Sequence, residues 1–340
     1  MALNIGVIGV GMIGQDHIRR LTQVLAGSAV TAVSDVDTAR AQEVAAALPS
    51  AKAFATGEEL IADDSVDAVL VTSWGPTHEQ YVLASIAAGK HVFCEKPLAT
   101  SQDACLRIID AEVAAGRQLV QVGFMRRYDA AYRALKSTLD SGAIGAPLLM
   151  HAAHRNADVP GTYTKDMAIV DTAVHDIDVA RWIFGEEIAS VQVLVPRKSS
   201  RGGELQDPLL VVFQMAGGAL VDVEVSVNID YGYDIRGEVS GETGTVELAE
   251  SSPVIVKRSG AFAGRVPSDW RERFLAAYDV ELQEWVDAVT TGSVLGGPSA
   301  WDGYAAQAVA DAGIAALHEG RRVDVTLVDK PDFYDKAAAR

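Results

Sequence analysis

From Leu3 to Val122, short apolar runs alternate with longer stretches in which apolar residues return every three or four positions. The runs Leu3–Ile8, Ala29–Ser34, Val66–Val71, His91–Cys94 and Leu119–Val122 predict strands. The periodic stretches from Gln15 to about Leu25, Ala39–Leu48, Thr77–Ala88 and Ser101–Ala115 predict the helices between them. Strands that each feed a helix build a mostly parallel sheet with helices on both faces. After Gly123 the pattern changes. Tyr128–Ser141 and Ile169–Phe184 read as helices, while Val191–Val195, Leu209–Gln214, Ala219–Val227 and Thr245–Leu248 read as strands. Glycine-rich joins such as MAGGAL and SGETGT favour antiparallel turns between them. Helical periodicity returns over Trp270–Thr290 and Tyr304–His318. The expected fold is α/β in two domains: residues 1–123 with a parallel sheet, and residues 124–340 with an open, largely antiparallel sheet.

At 340 residues and 49% hydrophobic content, the chain is long enough and apolar enough to bury two cores. Its 29 basic and 46 acidic residues leave a formal net charge of −17, which argues against nucleic acid or an anionic membrane as a partner. Local backbone N–H groups can still hold a phosphate in an acidic protein. Cys94 and Cys105 lie in no CxxC or His/Cys cluster, so they read as buried thiols, with no metal site expected. The start MALNIGVIGVGMIG lacks the basic stretch and apolar core of a secretion signal, and no later run has the roughly 20 apolar residues of a membrane span. A cytoplasmic enzyme is expected.

The strongest motif is GVGMIG, with Gly9, Gly11 and Gly14 directly after a predicted strand and around Met12 and Ile13 at the start of a helix. The first glycine permits a tight turn, the second lets a pyrophosphate approach, and the third lets the helix pack closely. This is the fingerprint of a Rossmann dinucleotide site, so the N-terminal domain is expected to be a Rossmann domain. Asp35 follows Gly14 by 21 positions and ends the second strand, placed to accept hydrogen bonds from the adenosine ribose hydroxyls. A carboxylate there repels a 2′-phosphate, and Val36 offers that phosphate no cation, so NAD is expected over NADP. The other reading of Asp35 is a turn cap.

Two later loops end strands on the same sheet edge. SWGPTHE supplies Ser73, Trp74 and His78: Trp74 is a candidate for the nicotinamide pocket or for packing, and His78 for pocket closure or a helix surface. CEKPL supplies Glu95 and Lys96, with Pro97 holding the lysine extended. Lys96 can donate to a substrate oxygen and offset charge developing there, and Glu95 can orient that ammonium or meet the nicotinamide region. A solvent-facing ion pair is the alternative.

In MAIVDTAVHDIDVARWIFG, Asp171 and His175 stand four residues apart on one predicted helix face, where a carboxylate can orient an imidazole acting as general base. Asp176 and Asp178 read as capping groups, partners of Arg181 or outer-pocket groups. Asn156 in HRNADVP and Arg126 in GFMRRYD are candidate polyol contacts, Arg127 a surface or oligomer-contact charge, and Tyr233 either a polyol contact or a sheet-packing residue.

GVGMIG, CEKPL, GFMRRYD and DTAVHDIDVARWIFG together resemble the glucose-fructose oxidoreductase/inositol dehydrogenase/rhizopine catabolism oxidoreductase family over nearly the whole chain. SWGPTHE and HRN look most like its branch that oxidises inositol at carbon 2, although HRNADVP departs from the HRNP continuation associated with that branch. The resemblance implies catalytic roles for Lys96, Asp171 and His175, polyol contacts at Arg126, Asn156 and Tyr233, and ribose selection by Asp35. It implies NAD-dependent oxidation of myo-inositol to the 2-ketone, and a homotetramer joined through the open sheets. Relatives act on scyllo- or D-chiro-inositol and on pyranoses such as glucose or xylose, so these remain alternative substrates. A non-catalytic NAD-binding sensor is the alternative of a different class.

Overall fold

The computed structural model describes residues 2–249 and 254–335, which form two compact units. The first holds Met1–Phe124, Tyr278–Gln307 and Val328–Arg340, and the second Met125–Ala277 and Ala308–Leu327.

In the first unit, β1 (Leu3–Ile8), α1 (Met12–Gln23), β2 (Ser28–Ser34), α2 (Thr38–Ala46), β3 (Lys52–Phe54), α3 (Gly57–Ala62), β4 (Ala68–Val71), α4 (His78–Ala87), β5 (His91–Glu95), α5 (Gln102–Ala115) and β6 (Val120–Gly123) follow in chain order. All six strands run parallel in the order β3-β2-β1-β4-β5-β6. Every residue of β4 is buried, as expected for a strand covered on both faces. Helix starts are set locally: Thr56 accepts from Glu59 N and Ser101 from Ala104 N. Gly116 ends α5 in the left-handed region at φ 67°. The sequence pattern misses β3 and α3 because three largely exposed residues at a sheet edge and a six-residue helix carry too little periodicity.

The division expected at 123/124 placed everything after it in one domain, but residues 278–307 fall in the first unit. Leu282, Trp285, Val286 and Leu295 share one core cluster with Leu3, Ile5, Val7 and Phe93, so apolar burial draws this late segment back.

The second unit contains α6 (Ala130–Asp140), β7 (Pro147–Arg155), a π-helical stretch at Ala168–Ala173, α7 (Val174–Phe184), β8 (Ile188–Leu194), β9 (Leu209–Met215), β10 (Leu220–Ser226), β11 (Asp234–Gly241) and β12 (Thr245–Glu247). A small hairpin follows, β13 (Val256–Arg258) with β14 (Ala261–Ala263), then α8 (Trp270–Thr291), which is non-helical at Phe274, α9 (Ala300–Glu319) and β15 (Val323–Asp324). The main sheet runs β12-β11-β7-β10-β9-β8-β15 and is antiparallel except where β7 and β10 run parallel. Residues of β9 alternate buried and half-buried along its length, the mark of a sheet covered on one face. Among the described residues no helix is long and apolar enough to cross a membrane.

Candidate active site

The strand order of the first sheet reverses between β1 and β4, and the GVGMIG turn sits at the carboxyl end of β1 beside that switch. Open parallel sheets bind ligands at this point. Gly9 has φ +91°, and a Cβ there would lie 2.5 Å from the Ser73 backbone. A Cβ on Gly14 would lie 2.0 Å from Gly9 O, so both glycines are required by close backbone approach. Gly11 is different: nothing lies within 4 Å of its absent side chain, and it caps α1 with no side-chain hydrogen bond. The first N–H groups of α1, at Met12, Ile13 and Gly14, have no intrahelical acceptor, and the room beside Gly11 at the same helix end is open. A pyrophosphate fits this cradle in both charge and room. Met12 is largely exposed there and Ile13 half-buried.

Asp35, 9% exposed, is fixed by two backbone donors: Val10 N at 2.7 Å on Oδ2 and Asp37 N at 2.8 Å on Oδ1. A carboxylate oxygen accepts more than one hydrogen bond, so capacity remains for ribose hydroxyls. Val36 is fully exposed beside it. Ser73 Oγ pairs with Thr77 Oγ1 at 2.7 Å, and Trp74 is 77% exposed. His78 is 2% exposed, which removes the helix-surface reading. Its Nδ1 lies 2.7 Å from Pro97 O and its Nε2 2.9 Å from Ser73 O, so it ties the Ser73 loop to the loop carrying Lys96. Lys96 is half-buried, and its N–H donates to the buried Glu95 carboxylate at 3.3 Å. Both cysteines are buried and outside any disulfide, and burial pushes the Cys94 thiol well up.

The second unit carries a cluster of its own. Asp171 lies exposed in the π-helical stretch rather than in the predicted α-helix, and His175, 8% exposed, lies in the first turn of α7. Single π turns inside helices concentrate at functional sites. The His175 ring centroid is 6.3 Å from that of His154, which is 5.7 Å from the Tyr233 ring. His154 Nδ1 lies 2.8 Å from Asp176 Oδ2, and its Nε2 lies 3.3 Å from the Tyr233 hydroxyl. Tyr233, 4% exposed, is thus part of a buried polar network, and burial raises its pKa. Arg126, a candidate polyol contact, is 1% exposed, with Nη1 on Asp176 Oδ1 at 2.6 Å and Nη2 2.9 Å from His154 Nδ1. Burial pushes the Asp176 carboxyl up, but Arg126 and then His154 overcome it and hold the group below its usual range.

Asn156, half-buried, is fixed through its backbone, which donates to Ser226 O at 2.8 Å and accepts from Ile229 N at 3.0 Å. Arg127 is no free surface charge, since its Nε donates to the buried Asp178 at 3.0 Å. Arg181 pairs with Glu187 through Nε and Nη2. Two further residues carry no role in the sequence reading: His17, whose Nε2 lies 2.7 Å from Glu95, and His154, named there only as part of HRN beside Asn156. A histidine among apolar residues on α1 and another inside a β7 run were the available signals.

A model of the oxidoreductase family with an NAD-binding Rossmann fold matches residues 3–124, and one of the GFO/IDH/MocA C-terminal domain matches residues 132–247. The chain is 54% identical over 335 residues to inositol 2-dehydrogenase 3 of Saccharopolyspora erythraea, covering 98% of each. This chain belongs to the GFO/IDH/MocA oxidoreductase family. An inositol 2-dehydrogenase of Pseudomonas syringae is 53% identical, covering 98% of this chain and 100% of its own. The myo-inositol dehydrogenase of Lactobacillus casei, solved with NAD(H) and myo-inositol, superposes with a TM-score of 0.96 at 39% identity over 98% of this chain and 100% of that one. The family's NAD-binding fold is the one that β1, the GVGMIG turn and α1 build, and the expected two-part α/β architecture holds in both sheets.

Proposed function

We propose that the chain is an NAD-dependent myo-inositol 2-dehydrogenase, converting myo-inositol and NAD+ to 2-keto-myo-inositol, NADH and a proton. The observation that carries this reading is near-complete coverage at 52–54% identity of relatives named for that activity, on a chain whose own cradle fits the dinucleotide. The N–H groups at Met12, Ile13 and Gly14 would hold the pyrophosphate, Asp35 the adenosine ribose, and the Ser73–Trp74 and Glu95–Lys96 loops the nicotinamide end, with His78 joining those loops. The bound cofactor supplies the hydride acceptor.

His175 serves as general base and takes the proton of the reacting hydroxyl. Asp171 favours the charged form of the imidazole by its own negative charge. Lys96 stabilises the negative charge that develops on the reacting oxygen. Asn156 and Tyr233 select the polyol. Arg126 acts beneath them, holding Asp176 and His154 and through His154 the Tyr233 hydroxyl, which suits its burial better than direct contact. We further propose a cytoplasmic homotetramer. Two buried cysteines outside any disulfide suit a reducing compartment, and the open sheet face, where Arg155 meets Glu224 and Asp234, suits contact between copies.

The direct test uses myo-inositol deuterated at carbon 2. The label should arrive at nicotinamide C4 of the NADH formed, and single-turnover transfer should fall by about 100-fold or more in Lys96→Ala, His175→Ala and Asp171→Asn, with thermal stability nearly unchanged. Unlabelled NADH would remove the carbon 2 assignment. Unchanged rates in the folded variants would remove the three roles.

A further inference from the structure

Helix α1 carries two polar side chains that a dinucleotide fingerprint does not require, His17 and Arg20, both 0% exposed. His17 Nε2 lies 2.7 Å from Glu95 Oε1, and Nδ1 lies 3.3 Å from Arg20 Nη1. Guanidinium nitrogens only donate. The His17 Nδ1 is therefore the acceptor, and the ring proton sits on Nε2, where it donates to the carboxylate. Arg20 is itself held by Asp16 at 2.6 Å and Asp279 at 3.0 Å, and its guanidinium lies 4.8 Å from the Tyr278 ring centroid. The imidazole meets Phe93 edge-on at 6.2 Å and Tyr278 at 5.6 Å, contacts that fix its plane. On the far side of the carboxylate, Glu95 Oε2 accepts from Lys96 N. A Cβ on Gly123 would come within 3.2 Å of that same oxygen, so the glycine ending β6 leaves the space the carboxylate fills.

Glu95 ends β5. With Asp35 on the β2 side of the switch point taking the adenosine ribose, the nicotinamide half belongs to the β4–β5 side. We propose that His17 is a positioning residue for that half of the cofactor: locked in one tautomer by Arg20, it holds the Glu95 carboxylate in a single orientation next to Lys96. The inference rests on the NAD-dependent reading of the first unit and is independent of which polyol is oxidised.

The test compares His17→Leu, His17→Gln, Gly123→Ala, Glu95→Gln and the His17→Leu/Glu95→Gln pair in the full chain. NADH affinity is read by fluorescence titration, and kcat/KM for NAD is measured beside it. His17→Leu and Glu95→Gln should each weaken both by about tenfold, as expected for a lost charge-assisted hydrogen bond. The double variant should be no worse than the worse single, because both break one interaction. His17→Gln, whose amide can donate from the same place, should stay near the parent. Gly123→Ala crowds the carboxylate from the other side and should weaken NADH binding, which decides the matter if His17→Leu does not fold. Multiplying losses in the double variant, equal losses in His17→Gln and His17→Leu, or unaltered NADH affinity in Gly123→Ala would each overturn the proposal. Failure of every inositol as substrate with this NADH order intact would overturn the polyol reading and leave this one standing.

Discussion

Asp35 shows what a single side chain decides. Its two oxygens are held by Val10 N and Asp37 N, so the carboxylate stays at the end of β2, the place proposed for the adenosine ribose, where its charge would repel a 2′-phosphate. Arg40 Nη1 stands 3.9 Å from Oδ1, so a cation is already nearby. Replacing Asp35 with Ser and Val36 with Arg should therefore raise the NADP-to-NAD ratio of kcat/KM by at least about tenfold, through lost repulsion and a new phosphate partner. An unaltered ratio in the folded variant would remove Asp35 as the selector. Gly14 and Asp35 are legible in sequence because Gly9 O, Val10 N and Asp37 N, which they meet, lie in one strand-turn-helix-strand run. His17 and His154 are not, since their carboxylate partners lie 78 and 22 positions away and only the fold brings them together.

At the scale of elements, the helix expected over Ile169–Phe184 begins as a π-helical stretch and turns α-helical at Val174, placing Asp171 in the open and Asp176 in the interior. Apolar spacing alone does not separate π from α winding, so only the later turns were legible. Strand β11 was missed for a related reason: DIRGEVSG mixes charge and glycine with few apolar residues, yet it pairs along β7 and buries Ile235 and Val239. Asp176 joins α7 to β7 through His154, and to the 3₁₀ turn Met125–Tyr128 through Arg126. Asp176→Asn leaves the buried Arg126 charge without its anion and should cost about 3–5 kcal/mol in guanidinium unfolding. Because the folded carboxyl titrates below its unfolded value, its contribution is present above the usual aspartate pKa of 3.8 and is lost as pH falls through the lower, folded value. Stability of the parent should thus fall more steeply than that of the Asn variant as pH drops below about 4. Equal acid slopes would mean that Asp176 is not ionised in the folded protein.

For the whole molecule, the first unit takes in a segment from near the chain's end, a return invisible to local pattern because Leu282 and Trp285 look the same whichever core they join. The class of each sheet was legible, and so was the cofactor, because strand-helix alternation and the glycine fingerprint are local. A net charge of −17 rules out a broadly basic surface yet leaves the anion cradle intact, since that cradle is made of backbone N–H groups. The polyol contacts proposed at Asn156 and Tyr233 are the least local part, and they separate this reading from a pyranose dehydrogenase. The measurement that bears on it most directly is kcat/KM for NADH formation at saturating NAD with myo-, scyllo- and D-chiro-inositol, glucose and xylose side by side. The highest value should belong to myo-inositol. A higher value for another inositol or for a pyranose, or no NADH from any of the five, would contradict the account.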